Sequence, residues 1–358
     1  MTTIGVLRET ARGERRVALT PDAARRLSDR GLKVQVEASA GRSSSFGDEA
    51  YAGAVVTTRE QVYADSDVLL SVRCPDDVAA ARPGQVLIGL LGPGPDRPAG
   101  GVTAVSLDRL PRTLSRAQAM DALTSQANVA GYKAALIAAE AYPGFFPMLM
   151  TAAGTTRPAR VLVLGAGVAG LQAIATARRL GAQVTGYDVR EAARAEIAST
   201  GAAVLDLATA GAEADGGYAR SLTDDETRAQ LRGLTEAVPG FDVVITTAQV
   251  PGRTPPRLVT AEALAAMRPG SVVLDIAAGD IGGNVEGSEP GNRIRAGDVL
   301  VIGAPDLAAT VPVAASTAYA RNLLALLTHL MPHGDVVLDP EDEITRALLL
   351  PAEEGTRP

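Results

Sequence analysis

Short apolar runs alternate with amphipathic segments along the chain, and this alternation predicts the fold. In the first third the apolar runs are TIGVLRE, KVQVEAS, DVLLSVR, QVLIGLL and VTAVSL. Segments such as TPDAARRLSDRG separate them, with apolar positions at helical spacing and Gly31 at the expected end of the helix. Continuous apolar strands that alternate with helices are typical of parallel sheets covered on both faces.

The same alternation returns in the middle third, where the apolar runs are RVLVLG, QVTGYDV, AVLDL, DVVITTA, SVVLDIA and VLVIGAP. We therefore predict an α/β protein with two doubly wound parallel-sheet (Rossmann-like) domains. Long helices at about 115–141 and 314–330 should join them. The predicted N-terminal, catalytic-type domain is discontinuous, residues 1–125 plus 315–358, and the second domain spans 126–314. The cleft between two such domains is the default place for a ligand.

Composition narrows the classes of function. The 358 residues are 46% hydrophobic, and the net charge of −7 comes with scattered basic residues, which argues against a nucleic-acid partner. Lys33 and Lys133 are the only lysines, so a Schiff-base mechanism is nearly excluded. The single cysteine, Cys74, rules out a disulfide and a cysteine metal site, and His329 and His333 have no evident third ligand, so we expect no metal.

The N-terminal sequence does not resemble a signal peptide, and no apolar run is long enough for a membrane span. We expect a soluble, cytoplasmic protein.

The sequence RVLVLGAGVAGLQAIATARRLGAQVTGYDVR contains a glycine turn between a strand and a helix. In its G-x-G-x-x-G motif, Gly165 permits the tight turn, Gly167 lets a pyrophosphate approach the helix N-terminus, and Gly170 permits close helix–strand packing. Asp188 lies 23 residues after Gly165, at the end of the next strand, where a carboxylate accepts hydrogen bonds from an adenosine ribose. This arrangement predicts NAD(H) as the cofactor, bound by the second domain. The nearby Arg190 weakens the preference over NADP(H), and the predicted contacts also include Val168, Ala169 and Val189.

Longer stretches resemble one family. The stretches SRAQAMDALTSQANVAGYKA, PMLMTAAGTTRPARVLVLGAGVAGLQAIATARRLGA and ITTAQVPGRTPPRLVTAEALAAMRPGSVVLDIA are similar to the NAD(H)-binding domain I of the NAD(P) transhydrogenase alpha subunit, in the alanine dehydrogenase/transhydrogenase superfamily. The similarity extends to RRVALTPDAARRL, to DGGYAR in a polar segment predicted as a mobile loop, and to GGN at residues 282–284. It covers nearly the whole chain.

The resemblance implies an oxidoreductase that passes hydride from NADH to NADP⁺. It implies a homodimer that docks on the NADP(H)-binding domain of a transhydrogenase beta subunit, while a membrane subunit couples the reaction to proton movement. The chain would then be a soluble component held at the inner membrane through its partner subunits.

The resemblance also implies site residues. Gln118 and Asp121 match a family Arg–Gln–Asp loop at the nicotinamide end, and Thr124 keeps the hydroxyl of a family serine. The family arginine lies five residues before the glutamine, where this chain has Thr113, so Arg112 takes the role only after a one-residue shift. The remaining implied contacts are the mobile-loop tyrosine Tyr218 and the ITTAQ residues Thr247, Ala248 and Gln249.

Two alternatives stay open at this level. An alanine-dehydrogenase-type enzyme acting on another small substrate needs a base and a carboxylate ligand. Arg16 matches the ligand, but Arg73 and Gly92 stand where that family has lysine and histidine, and Asp280 lies near its active-site acid. A guanidinium cannot serve as the base. The second alternative is a non-catalytic NAD(H)-binding module, suggested by the altered stretch 92–112 and the short tail.

Overall fold

The computed structural model describes residues 2–92, 101–207, 222–249 and 254–350. Its contacts divide the chain into two compact units. The first comprises Met1–Gln126 and Ala309–Pro358, and the second comprises Ala127–Ala308.

The first unit is built on a six-stranded parallel sheet with the order β3-β2-β1-β4-β5-β6. Its strands are β1 (Thr3–Val6), β2 (Lys33–Glu37), β3 (Val55–Thr57), β4 (Val68–Arg73), β5 (Val86–Leu90) and β6 (Thr103–Ser106). Helices α1 (Pro21–Asp29) and α2 (Arg59–Asp65) lie between strands. Thr20 caps α1 by accepting the N–H of Ala23, and Gly31, with φ of +85°, follows its end as predicted.

Both faces of this sheet are covered. Leu69 and Leu70 of β4 point to opposite faces because side chains alternate along a strand. Both are fully buried, and they belong to different apolar clusters. This explains why β4 is a continuous apolar run.

The predicted helix at 115–141 is divided at Asp121. A 3-10 helix, Ser115–Met120, comes first, and α3 follows over Ala122–Ala141. The Asp121 carboxylate accepts the N–H of Thr124 at 2.8 Å, which is the bond of a helix N-cap. An acidic side chain therefore begins a new helix where apolar spacing alone predicted continuity.

The second unit contains a seven-stranded sheet with the order β11-β10-β9-β12-β13-β15-β14 and a separate hairpin, β7–β8. The hairpin strands are β7 (Leu149–Thr151) and β8 (Gly154–Thr156). The sheet strands are β9 (Arg160–Leu164), β10 (Gln183–Tyr187), β11 (Ala203–Val204), β12 (Val243–Thr246), β13 (Val272–Asp275), β14 (Arg293–Ala296) and β15 (Val299–Gly303). All pairs in the sheet are parallel except β14–β15. The helices are α4 (Val168–Arg179), α5 (Glu191–Ser199), α6 (Asp224–Ala237) and α7 (Ala261–Ala266).

Two helices complete the first unit, α8 (Pro312–Leu330) and α9 (Glu343–Leu348). The remaining short helices described are 3-10 turns at Arg42–Ser44, Asp48–Ala50, Val78–Ala80, Leu107–Arg109, Val238–Gly240 and Leu307–Thr310. Parallel sheets with helices on both faces confirm the predicted fold class. Within the described ranges, no helix is both long and apolar enough to cross a membrane.

Glu9 is an unusual acid just after β1. Its carboxylate accepts the backbone N–H of Val72 at 2.6 Å and of Arg73 at 3.2 Å. Burial, reinforced by the nearby Glu14 carboxylate, raises the pKa of Glu9 to about 7 against the effect of those two N–H groups.

This shift predicts a pH-dependent stability. The folded chain binds this proton more tightly than the unfolded chain, so the stabilisation is complete below the ordinary pKa of 4.5 and is lost as the pH rises through about 7. Glu9→Gln removes the ionisable group. Between about pH 5 and about pH 8, the free energy of unfolding of this variant should therefore fall by about 1–3 kcal/mol less than that of the parent protein. Urea unfolding across that range measures it. An equal loss in both proteins would contradict the role given to Glu9.

Candidate functional site

The turn after β9 brings backbone atoms closer than side chains allow. Gly165 has φ of +97°, and a Cβ there would lie 2.8 Å from the Thr247 hydroxyl. A Cβ on Gly170 would lie 1.8 Å from the Gly165 carbonyl oxygen, so α4 packs directly on the turn. Both positions require glycine, for the reasons that the motif predicted.

The N-terminus of α4 is open. Gly167 is the N-cap, and among the described residues no side chain caps this helix. A Cβ on Gly167 would meet nothing within 4 Å. The N–H groups of the first turn, which begins with Val168 and Ala169, lack intrahelical acceptors, and they lie at the positive end of the helix dipole. Such a terminus is suited to a pyrophosphate.

Asp188 follows β10 and is 7% exposed. Its Oδ2 accepts the Ala166 N–H at 2.8 Å, and its Oδ1 accepts the Arg190 N–H at 2.9 Å. The Arg190 guanidinium donates to both oxygens, each at 2.9 Å. Burial opposes ionisation, but these hydrogen bonds together lower the pKa of Asp188. The carboxylate can therefore accept ribose hydroxyls, although they compete with Arg190 for its oxygens.

The segment after β12 forms a second side of the turn. Thr247 donates its hydroxyl to the Gly165 carbonyl oxygen at 2.9 Å. Ala248 exchanges two hydrogen bonds with the Asn284 carboxamide, and Gln249 donates to the Ile276 carbonyl oxygen at 3.0 Å. These three predicted residues lie at the carboxyl ends of the parallel strands, where ligands of this fold class bind. Val189, beside Asp188, packs partly buried against the neighbouring apolar cluster.

Two structural residues of this region did not emerge from sequence reasoning. Asn284 is fully buried, and besides its bonds to Ala248 it donates to the Pro256 carbonyl oxygen at 2.8 Å. Gly131 lies in α3, where a Cβ would come within 2.0 Å of the Ala169 carbonyl oxygen. The GGN match included Asn284 without giving it a role. The sequence signal for Gly131 is a glycine in the middle of a predicted helix.

The first unit brings three of its predicted residues together. Arg112 donates from Nε to Asp121 Oδ2 at 2.9 Å and from Nη2 to Thr124 Oγ1 at 2.7 Å. Thr124 in turn donates its hydroxyl to Asp121 Oδ2 at 2.6 Å. Arg112 therefore joins this group although it lies one residue away from the family spacing.

Two further predicted residues are Gln118 and Tyr218. Gln118 lies on the 3-10 helix Ser115–Met120, and its side chain is exposed rather than part of the Arg112 cluster. Tyr218 and the polar segment around it lie outside the described residues.

Two residues of the dehydrogenase alternative, Arg16 and Arg73, form ion pairs with Glu14. Arg16 is 5% exposed and donates to both carboxylate oxygens of Glu14, at 2.8 and 2.6 Å, and to Gln126 Oε1 at 2.8 Å. Arg73 also donates to Glu14, at 3.1 Å. A substrate carboxylate would have to displace Glu14 to reach the same edge of Arg16. Asp280 is exposed.

No group of three or more histidine, cysteine, aspartate or glutamate side chains in the described ranges is placed to hold a metal ion. His329 lies 2.9 Å from Asp342, and His333 is exposed.

A dinucleotide fits the second unit. The open helix N-terminus suits the pyrophosphate, and the buried, ionised Asp188 suits an unphosphorylated ribose. The space around Gly167 leaves room for the approach of a ligand.

Comparison with known proteins identifies the family. The alanine dehydrogenase/PNT N-terminal domain matches residues 5–130, and the C-terminal domain matches residues 134–356. An NAD(P) transhydrogenase subunit alpha of Rhodospirillum rubrum is 40% identical over 364 residues, covering 95% of this chain and 94% of that protein. The structure of transhydrogenase from Sinorhizobium meliloti matches with a TM-score of 0.86 and 40% identity, covering 97% and 98% of the two chains. Alanine dehydrogenase of Mycobacterium tuberculosis is 32% identical over 350 residues, covering 92% and 88%.

The fold and the glycine turn define a protein of the Rossmann-type, NAD-binding oxidoreductase class. More particularly, the chain belongs to the alanine dehydrogenase/PNT family. The resemblance drawn from its motifs is confirmed, and identity is higher to the transhydrogenase alpha subunits than to the alanine dehydrogenase.

Asp188 provides a direct test of the nucleotide site. Asp188→Ala removes a charged acceptor and should weaken NADH binding about ten- to a hundredfold, because hydrogen bonds to charged groups contribute about 1.5–3 kcal/mol. Fluorescence titration of NADH measures the change. Asp206→Ala, at an exposed aspartate of the same unit, is the matched control and should bind like the parent protein. Equal affinity in all three proteins would remove Asp188 from the site.

Proposed function

We propose that this chain is the NAD(H)-binding alpha component of a proton-translocating NAD(P) transhydrogenase and takes part in hydride transfer between NADH and NADP⁺. The supporting observation is the network of Arg112, Asp121 and Thr124, which the resemblance to transhydrogenases implied and which closes through hydrogen bonds of 2.6 to 2.9 Å. In this assignment residues 126–314 hold the nucleotide, and Arg112, Gln118, Asp121 and Thr124 are assigned to its nicotinamide end.

The proposed chemistry explains the residue types. The bound nucleotide supplies a hydride at its nicotinamide ring. Transfer between two such rings removes no proton from an O–H or N–H group, so the chain needs no general base. Its residues must hold the reacting groups in place and exclude water. This requirement is consistent with Arg73 and Gly92 at the positions where alanine dehydrogenases have lysine and histidine.

Each proposed residue has a distinct task. The N–H groups at Gly167, Val168, Ala169 and Gly170 bind the pyrophosphate, and Asp188 binds the adenosine ribose. Gln118 offers an exposed amide, which is both donor and acceptor and therefore matches a carboxamide. The remaining proposed contacts are those of Gly165, Val189, Arg190, Tyr218, Thr247, Ala248 and Gln249 with the nucleotide, and of Arg112, Asp121 and Thr124 at the nicotinamide end.

The proposed partners follow from the relatives. The Rhodospirillum rubrum protein is by name a subunit alpha, so it belongs to a larger enzyme. We infer that this chain docks on the NADP(H)-binding domain of a beta subunit and acts in the cytoplasm, at the inner membrane, through that subunit and a membrane subunit. Proton translocation would then belong to the assembly.

The transfer assay tests this proposal. The purified chain, a transhydrogenase NADP(H)-binding domain, NADH and an NADP⁺ analogue should give rapid hydride transfer, followed by absorbance. Gln118→Asn shortens the amide arm by one methylene and should slow transfer about tenfold or more, because misplacement by about 1 Å is costly, while NADH affinity changes less than about threefold. Asn128→Asp, at an exposed amide of the second unit, is a control and should transfer normally. No transfer by the parent chain, with tight NADH binding, would favour the non-catalytic module.

The homodimer has support from the surface of the second unit. Phe145, Met148 and Met150 are 56%, 56% and 77% exposed, and they lie within six residues at the β7–β8 hairpin. Neighbouring exposed apolar side chains often mark a protein interface. We propose that a second copy of the chain covers them.

Sedimentation velocity tests this interface. Met150→Lys places a charge in the proposed contact and should shift the chain from dimer toward monomer, raising the dimer dissociation constant about tenfold or more. Val55→Lys, at an apolar residue 61% exposed in the first unit, is the matched control and should remain dimeric. A monomeric parent protein, or equal behaviour of both variants, would refute the role of the hairpin.

A further inference from the structure

The 3-10 helix that carries Gln118 is tied to two other elements of the first unit. Asp342, at the start of α9, and Asn322, within α8, each bond to it through side chains. Their bonds reach residues on either side of Gln118, namely Arg116 and Ala119.

The Asp342 carboxylate is a junction of three elements. Its Oδ1 accepts from Arg116 Nη1 at 2.9 Å, across 226 positions of the chain. Its Oδ2 lies 2.9 Å from His329 Nε2 and accepts the N–H and hydroxyl of Thr345 at 2.8 and 2.9 Å. Burial raises the pKa of Asp342, but these hydrogen bonds outweigh it and hold the pKa well below its usual range. The Asp342 carboxylate is therefore ionised at any physiological pH.

Asn322 holds the next part of the loop. It is 8% exposed, and its Nδ2 donates to the Ala119 carbonyl oxygen at 2.9 Å. Its Oδ1 accepts the Ser125 hydroxyl at 2.7 Å. A buried amide without partners would cost about 1–3 kcal/mol, so both bonds favour one position of the loop.

The Arg116–Asp342 bond differs from the buried Asn322 bonds in its contribution to stability. Arg116 is 54% exposed, so its bond to Asp342 contributes little to stability. The bond nevertheless links the side chain two residues before Gln118 to the start of α9, while Asn322 bonds to the backbone carbonyl one residue after Gln118. Ser125 in turn adjoins Thr124 of the Arg112 network. The contacts of Asp342 and Asn322 therefore act on the segment that carries the Gln118 amide.

We propose that Asp342 and Asn322 are positioning residues for hydride transfer, which hold the loop so that the Gln118 amide meets the nicotinamide. This inference rests on the proposed function. It gives Asp342, the N-cap residue of α9, a part in the reaction through its contact with the segment that carries Gln118.

Asp342→Asn tests the first tie. Asparagine keeps a side-chain oxygen to cap α9 but loses the charge that binds Arg116 and His329. We expect the transfer rate at saturating NADH to fall about fivefold or more, because orientation at the reacting atoms is lost. The Kd for NADH should change little, although the melting temperature should fall because the ionised carboxylate stabilises the folded chain. Asp339→Asn, three residues earlier and exposed, is the matched control with the same charge change and should react like the parent chain.

A double-mutant cycle shows whether Asp342 acts through Arg116. If it does, Arg116→Ala should slow transfer to a similar extent, and Arg116→Ala with Asp342→Asn should be about as slow as either single variant. Asn322→Ser keeps a small polar group at the second tie, and it should also lower the transfer rate with NADH affinity retained.

The outcomes separate the two proposals. Normal transfer by the parent chain and by Asp342→Asn would overturn the positioning role alone. A fall in rate that is matched by weaker NADH binding would also overturn it, since it would show only a structural role. Absence of transfer by the parent chain would overturn the proposed function and this inference together. A slower rate with unchanged affinity, together with non-additive effects in the double-mutant cycle, supports the inference.

Discussion

The close backbone contact at the glycine turn is the constraint on which the second unit depends. Gly170 packs on the Gly165 carbonyl at a distance that excludes any Cβ, and Gly131 approaches the Ala169 carbonyl just as closely. These contacts set the position of α4 against β9 and against α3. Because the helix N-terminus is fixed there, its unpaired N–H groups are presented at the carboxyl edge of the sheet. A methyl group at Gly170 would separate the helix from the strand and move the helix N-terminus with it.

The charge of the Asp188 carboxylate at that edge is compensated by its hydrogen-bond partners. Asp188 is buried and ionised because Arg190 and two backbone N–H groups surround its carboxylate. A nucleotide that binds as we propose would exchange its ribose hydroxyls for part of the Arg190 contact. That exchange reduces the net gain from binding, since one charge-assisted hydrogen bond replaces another. It is a physical reason to expect moderate rather than very tight affinity, which suits a nucleotide that must leave after each turnover.

The first unit shows how one fold can serve different chemistry. Arg16 is present, as in the alanine dehydrogenase resemblance, but Glu14 occupies its guanidinium edge and also binds Arg73. A carboxylate of the chain thus stands where a substrate carboxylate would be needed. The polar network instead closes around Arg112, Asp121 and Thr124, the residues to which we assign the orientation of the nicotinamide.

The sequence by itself determined the fold class and the glycine turn. Apolar periodicity and backbone sterics act over a few residues, so their consequences can be inferred without long-range contacts. It did not predict the break at Asp121, because an aspartate that caps a helix and an aspartate on the polar face of a helix leave the same hydrophobic pattern. It also left the register of Arg112 open. Only the tertiary structure brought Arg112 to Asp121 and Thr124, and only it joined Asp342 to Arg116 across 226 positions. Such pairs depend on where separate elements pack, and local sequence pattern carries no information about that.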